Sequence, residues 1–148
     1  MNAVNPDIPM PSTMTLSVMI VDDSDMLRAC LRRLIDTLPG LNLVGEATNA
    51  IEAVARFEDL RPDIVILDIQ MPGGSGIEVL KWIKKRTPAC RVVMASSCPP
   101  QIYGPLCIEH GADHYFDKAN DMDKLVDLLI PWLPSTTNSP PAPAAGAE

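Results

Sequence analysis

Apolar positions along the chain fall into short blocks separated by polar turns. Leu16 to Val21 (LSVMIV) is nearly continuous and stops at Asp22-Asp23. Leu27, Cys30, Leu31, Leu34 and Ile35 then recur at helical spacing, with Ser24 placed to cap the helix and Pro39-Gly40 to end it. The alternation repeats. Leu41 to Val44 predicts a second strand, and Ile51 to Leu60 a second helix with Val54 and Phe57 facing in. Asp63 to Asp68 (DIVILD) predicts a third strand. Ser75-Gly76-Ile77-Glu78 has the spacing of a capping box, opening a helix that buries Ile77, Leu80 and Ile83 and ends by Pro88. Arg91 to Ala95 reads as a fourth strand, followed by a poorer helical segment to Gly111. His114 to Asp117 predicts a fifth strand, and Met122 to Trp132 a last helix.

Five strand-helix pairs with near-continuous apolar strands predict an α/β fold: a doubly wound, five-stranded parallel sheet covered by five helices. The unit spans 15–133. The flanks differ: 1–14 holds three prolines without periodicity, and 134–148 is rich in Pro and Ala, so both read as flexible. The segment after Trp132 is too short for a DNA-binding domain, so a stand-alone unit is expected.

Charge and cysteine usage narrow the function. A net charge of −7 disfavours nucleic acid as a direct partner, because phosphate binding needs a basic surface. No apolar run approaches a membrane span and no signal peptide opens the chain, so a cytoplasmic protein without membrane contact is expected. Cys30, Cys90, Cys98 and Cys107 show no metal-ligand spacing and read as reduced, mostly buried thiols. Neither His110 nor His114 has a partner for a zinc site. Trp82 and Trp132 read as packing residues.

In a parallel sheet, ligands sit at the carboxyl ends of the strands. Asp22, Asp23, Asp68, Ser96 and Lys118 all lie at or just past predicted strand ends, so one sheet edge collects them. Three clustered carboxylates raise one another's pKa values unless a cation sits among them. Oxygen ligands at an open site suit Mg²⁺. Lys118 supplies a mobile charge for a phosphate oxygen, Ser96 a hydroxyl donor, and an ionised Asp68 a nucleophile able to form an acyl phosphate. Gly73, Gly74 and Gly76 allow the loop after Asp68 to turn sharply.

The motifs VDDSDMLR (Val21 to Arg28), PDIVILDIQMPGGSG (Pro62 to Gly76), VVMASS (Val92 to Ser97) and GADHYFDK (Gly111 to Lys118) together resemble the receiver domain of two-component response regulators. The resemblance covers about Leu16 to Trp132 and implies a flavodoxin-like fold of the single-domain, CheY-like type. It implies Asp68 as phosphoacceptor, Asp23 as a direct Mg²⁺ ligand, Asp22 holding the ion largely through water, and the Gln70 backbone carbonyl as a further ligand. Ser96 matches the switch hydroxyl, Lys118 the family lysine, and Tyr115 the aromatic rotamer switch, although a half-buried strand aromatic is an equal reading of Tyr115. The implied donor is a histidine kinase or histidine phosphotransfer protein. The implied output is a downstream protein, unknown from the sequence, docking on the fourth helix, fifth strand and fifth helix.

Three departures from the family pattern stand out. Ala119 follows Lys118 where the family has proline after a cis bond, so either a trans bond with a shifted loop or a strained cis bond is expected. Gly104-Pro105 falls inside the fourth helix, which is therefore expected to be broken, shortened or displaced. Gln70 and Cys98 flank the phosphate position and should tune water access. Two other classes compete: a binding module of the same fold not switched by phosphate, and an enzyme. An FMN carrier needs a Gly/Ser/Thr-rich loop where Asp22-Asp23 stands, and an Asp-nucleophile phosphatase a second Asp where Gln70 stands.

Overall fold

The computed structural model describes residues 15–134, so the expected flexible flanks lie, Pro134 apart, outside the described residues. Five parallel strands form the sheet: β1 (Leu16–Val21), β2 (Leu41–Ala47), β3 (Ile64–Leu67), β4 (Arg91–Ser96) and β5 (His114–Asp117). Their order across the sheet is β2-β1-β3-β4-β5. Chain direction across the sheet therefore reverses between β1 and β3, and the loops on either side of that point diverge to leave a crevice.

Strand periodicity explains how both faces are covered. Val18 and Ile20 of β1, Ile64 and Ile66 of β3, and Val93 and Ala95 of β4 face one side, in a core with Leu31, Ile35, Leu125 and Leu129. Met19, Val21, Val65, Leu67, Val92 and Met94 face the other side, against Phe57, Leu80, Ile83 and Cys107. The first face is covered by α1 (Asp25–Asp36) and α5 (Leu125–Leu129). The second is covered by α2 (Ala50–Leu60), α3 (Gly76–Arg86) and α4 (Pro100–Glu109).

The helix starts follow cap chemistry, with one reassignment. Ser24 accepts from the Leu27 N–H at 3.1 Å, as its position predicts. Ser75 caps α3 by accepting from the Ile77 N–H, but Glu78 turns to Lys81 and closes no capping box. The reciprocal arrangement occurs at α2 instead. There Asn49 accepts from the Glu52 N–H at 2.8 Å while Glu52 accepts from the Thr48 N–H at 2.7 Å. Inward-facing positions shift slightly too: α2 buries Ala53 and Phe57 with Val54 only partly covered, and α3 buries Val79, Leu80 and Ile83 with Ile77 partly covered. The last helical segment is α-helical only over α5, with 3₁₀ turns at Met122–Lys124 and Ile130–Trp132. Cys90, Cys98 and Cys107 are buried free thiols, whereas Cys30 is exposed. Trp82 packs edge-on against Phe57 at 5.5 Å, and Trp132 lies 5.2 Å from the His114 ring.

The fourth helix corrects the expectation of a break. It runs unbroken from Pro100 to Glu109 with Pro105 inside it. Its irregularity is confined to a start with no side-chain cap and to the carbonyl of Gln101, which Pro105 has no N–H to meet. Packing overrides propensity here, because Cys107 is fully buried and Tyr103 packs against the core on the sheet side. Pro105→Ala restores one backbone donor but returns freedom to the unfolded chain. A net gain of about 1–2 kcal/mol in urea unfolding is expected. A loss of stability would contradict the account of this helix.

Candidate functional site

Strand register places the site. Val21 pairs with Leu67 across β1 and β3, so Asp22 and Asp68 emerge side by side. Ser96 pairs with Asp117 across β4 and β5, which puts Lys118 one residue past the same edge. Each strand end is held by its neighbour: the Asp22 N–H donates to the Ala47 carbonyl at 3.0 Å, the Asp68 N–H to Val21 at 2.9 Å, and the Lys118 N–H to Ser96 at 3.0 Å. All five strand-end residues expected from the sequence meet at this edge. Asp68, Asp23, Ser96 and Lys118 line one polar cleft of about 510 Å³ together with Gln70, Met71, Pro72 and Ser97.

The charges are partly balanced. Lys118 Nζ lies 2.7 Å from Asp22 Oδ2 and 3.2 Å from Asp68 Oδ1, bridging two carboxylates that are almost wholly buried. Burial works against the ammonium, but its hydrogen bond to Asp22 and the charges of Asp68 and Asp22 outweigh burial and raise its pKa. Burial pushes the Asp68 carboxyl up to about 6, with the Asp22 charge adding to the effect and Lys118 opposing it. Asp22 is further fixed by the Ser24 N–H donating to its Oδ1 at 2.9 Å. Asp23 is exposed at the mouth.

Oxygen atoms of Asp22, Asp23 and Asp68 lie within 4.8 Å of one another. Three carboxylates against one ammonium leave an excess of negative charge with only oxygen donors at an opening to solvent. This donor set fits a small, hard divalent cation such as Mg²⁺ and poorly fits zinc, which takes nitrogen and sulfur.

The loop after Asp68 is built on glycine. A two-residue antiparallel ladder pairs Gln70 with Ser75 and Met71 with Gly74. Gly76 donates its N–H to the Ile69 carbonyl at 2.7 Å, and a Cβ there would stand 1.8 Å from the Asp68 carbonyl oxygen. Only glycine lets α3 start this close to the acidic edge. Across the cleft, buried Ser96 accepts from the Cys98 N–H at 3.0 Å. Tyr115 is half-buried, packs inward, and donates its hydroxyl to the Cys98 carbonyl at 2.9 Å, with burial raising its phenol pKa. A Cβ at position 104 would meet Tyr115 Cγ at 3.9 Å, ordinary contact, so the ring does not require the glycine there. The Lys118–Ala119 bond is trans.

Arg28 has no counterpart in the expectations from sequence. Its Nη1 donates to the Asp22 carbonyl at 2.7 Å while its Nε meets Glu46 Oε1 at 3.1 Å. One signal was available. A cation at the start of a helix opposes the helix dipole and needs an anionic or carbonyl partner nearby.

Known proteins resemble this chain in sequence and in fold. The model of the response regulator receiver domain matches residues 18–130. The chemotaxis protein CheY of Thermotoga maritima is 37% identical over 112 residues, covering 76% of this chain and 92% of that protein. The protein-glutamate methylesterase/protein-glutamine glutaminase of the same organism is 44% identical over 82 residues, 55% of this chain. Response regulator GacA of Pseudomonas viridiflava is 28% identical over 114 residues, 77% of this chain. The chain spans 24% and 53%, respectively, of those two longer relatives. Among solved structures, a LuxR-family response regulator from Aurantimonas superposes with a TM-score of 0.74 at 33% identity, covering 80% of this chain and 84% of that one. The CheX-CheY-BeF3-Mg complex from Borrelia burgdorferi gives 0.74 at 28% identity, covering 82% of this chain and 92% of that one.

The fold is that of the CheY-like α/β domains, doubly wound with an acidic cleft at the switch point. The chain belongs to the response regulator receiver domain family, the signalling switches of two-component systems. Among the described residues no helix is long and apolar enough to cross a membrane.

The raised Asp68 pKa has a stability consequence whose sign is fixed. Folding favours the protonated carboxyl, so the ionised form costs nothing below pH 3.8, costs progressively more toward pH 6, and costs fully above it. Without divalent cation, Asp68→Asn should therefore be more stable than wild type by about 3 kcal/mol near pH 7.5, a gap roughly halved by about pH 5. Urea midpoints across that range check this. Equal or lower stability of the variant throughout would contradict it.

Proposed function

We propose that the chain is a stand-alone phospho-switch in which Asp68 accepts a phosphoryl group from a histidine kinase or histidine phosphotransfer protein. The observation that carries this reading is the placement of Asp68 at the end of β3. It is buried, bridged to Lys118 at 3.2 Å, and within 4.8 Å of carboxylate oxygens of Asp22 and Asp23. A stand-alone role is supported by the match to a CheY along 92% of that protein's length. The receiver unit is read as residues 15–133, and a reducing, cytoplasmic compartment is supported by the buried free thiols.

Asp23, Asp68 and the Gln70 backbone carbonyl would hold Mg²⁺ directly, with Asp22 acting largely through water. When bound, the ion supplies positive charge that keeps Asp68 ionised and offsets charge on the transferring oxygens. An Asp68 carboxylate oxygen attacks phosphorus, a P–O bond forms, and the P–N bond to the donor imidazole breaks as the electron pair leaves with nitrogen. Lys118, already aimed at Asp68, exchanges part of its carboxylate contact for a phosphoryl oxygen. The Ser96 hydroxyl donates to another. Moving Ser96 acts on the Cys98 N–H that it accepts from, and so on Tyr115, which holds the Cys98 carbonyl. That chain of contacts reaches the face formed by α4, β5 and α5, where a downstream protein docks. Gln70 lines the cleft and Cys98 lies buried behind Ser96, and together they set water access to the acyl phosphate.

Phosphoramidate with Mg²⁺ is expected to add one phosphoryl group to wild type by intact mass, and none to Asp68→Asn or after EDTA treatment. Equal labelling of Asp68→Asn would overturn the assignment. One observation favours a second reading, a binding module of the same fold that phosphate does not switch: Tyr115 is already packed inward. Beryllofluoride with Mg²⁺ should shift the Tyr115 and α4 amide resonances under the first reading and leave them unmoved under the second.

A further inference from the structure

Among the described residues, an apolar concavity lies apart from the acidic cleft. It lies between α2 and α3, about 580 Å³ in volume, with Ile51, Val54, Val79 and Trp82 as its apolar walls and Glu78, Lys81 and Lys85 as its charged lining. Ile51 is 76% exposed on the opening turn of α2, where nothing in the fold requires a large apolar residue. The floor is rigid. Trp82 rests edge-on against buried Phe57, and its ring carries the Arg86 guanidinium at 4.8 Å.

Charge identifies what the groove accepts. The protein has a net charge of −7, yet α3 holds Lys81, Lys84, Lys85 and Arg86 against the single anion Glu78. Lys84 is committed to Asp113 and Arg86 to Glu58, and Arg86 also stacks on the Trp82 ring. The rim lysines are not so committed. Lys81 has only an exposed contact with Glu78 at 3.5 Å, and Lys85 makes no ion pair among the described residues. Both walls are helices whose N–H and C=O groups are used internally, so a strand cannot add by backbone pairing. Recognition must run through side chains, as when an amphipathic helix lies in a groove.

We propose that the α2–α3 groove is a docking site for an amphipathic helix of a partner protein, its apolar face seated on Ile51, Val54 and Trp82 and its acidic edge along Lys81 and Lys85. Apolar contact supplies the affinity and the lysine rim fixes the orientation. The site is distinct from the phosphoacceptor cleft, although α3 starts at Gly76 directly against the Asp68 carbonyl.

The test is selection from a displayed library of helical peptides with randomised surface positions, using the full chain as bait. Enriched peptides are expected to carry apolar residues at i, i+3 or i+4, and i+7, with Asp or Glu along one flank. Synthetic copies should bind with a dissociation constant of about 10 µM and shift the amide resonances of Ile51 to Val54 and Glu78 to Lys85. Ile51→Glu and the double variant Lys81→Glu/Lys85→Glu should each weaken binding at least about tenfold with unchanged circular dichroism. Reversing the peptide's acids to lysines should restore binding to the lysine-to-glutamate variant. Asp68→Asn should bind as wild type does, which separates this outcome from that of the phosphoacceptor reading. Winners that lack acidic residues or shift residues elsewhere would overturn the proposal, as would an empty selection. Concentration-dependent shifts of the groove residues without peptide would assign the face to a second copy instead and overturn it too.

Discussion

The acidic edge depends on one half-buried cation. Asp22 and Asp68 are almost wholly removed from water, and two such carboxylates side by side repel in a medium that screens them poorly. Lys118 bridges them, reaching across from the end of β5 to the ends of β1 and β3. The compensation is incomplete: one ammonium faces three carboxylates, and the Asp68 pKa stays raised. A domain that tolerates this residual imbalance retains a site that a divalent cation improves. Charge left unmatched in the folded chain is therefore the property that favours a divalent cation at this edge.

The backbone keeps that imbalance from relaxing. The Asp22, Asp68 and Lys118 amides are all tied into the ladders of neighbouring strands, so the points from which these side chains extend cannot move apart without breaking sheet hydrogen bonds. Arg28 adds a second restraint by clasping the Asp22 carbonyl from α1 while Glu46 of β2 holds the guanidinium. Gly76 does the same for the opposite wall through close approach.

Much of this was legible in the chain because strand ends map onto one sheet edge: Asp22, Asp23, Asp68, Ser96 and Lys118 could be placed together from sequence alone. Other features depend on contacts that sequence spacing does not encode. Arg28 reads as one more charged residue on α1 until the fold brings the Asp22 carbonyl and Glu46 to it. The Ser75–Glu78 spacing fits a capping box, yet the closed version forms at Thr48, Asn49 and Glu52, where the residue before the cap supplies the second N–H. β2 runs on to Ala47 through Gly45 and Glu46, polar positions that an edge strand accepts because its outer side is not covered by another strand. α4 survives Pro105 because tertiary burial of its sheet-facing side outweighs one lost backbone bond. Val54, expected inside, instead helps form the wall of the α2–α3 groove.

The most direct test of the central claim locates the phosphoryl group chemically. Wild-type protein phosphorylated by phosphoramidate with Mg²⁺ is reduced with borohydride, which converts an aspartyl phosphate to homoserine, and the peptides are sequenced by mass spectrometry. The account predicts homoserine at position 68, with Asp22 and Asp23 unmodified. Homoserine at either of those positions, or phosphate retained on a hydroxyl or imidazole with residue 68 still aspartate, would contradict it.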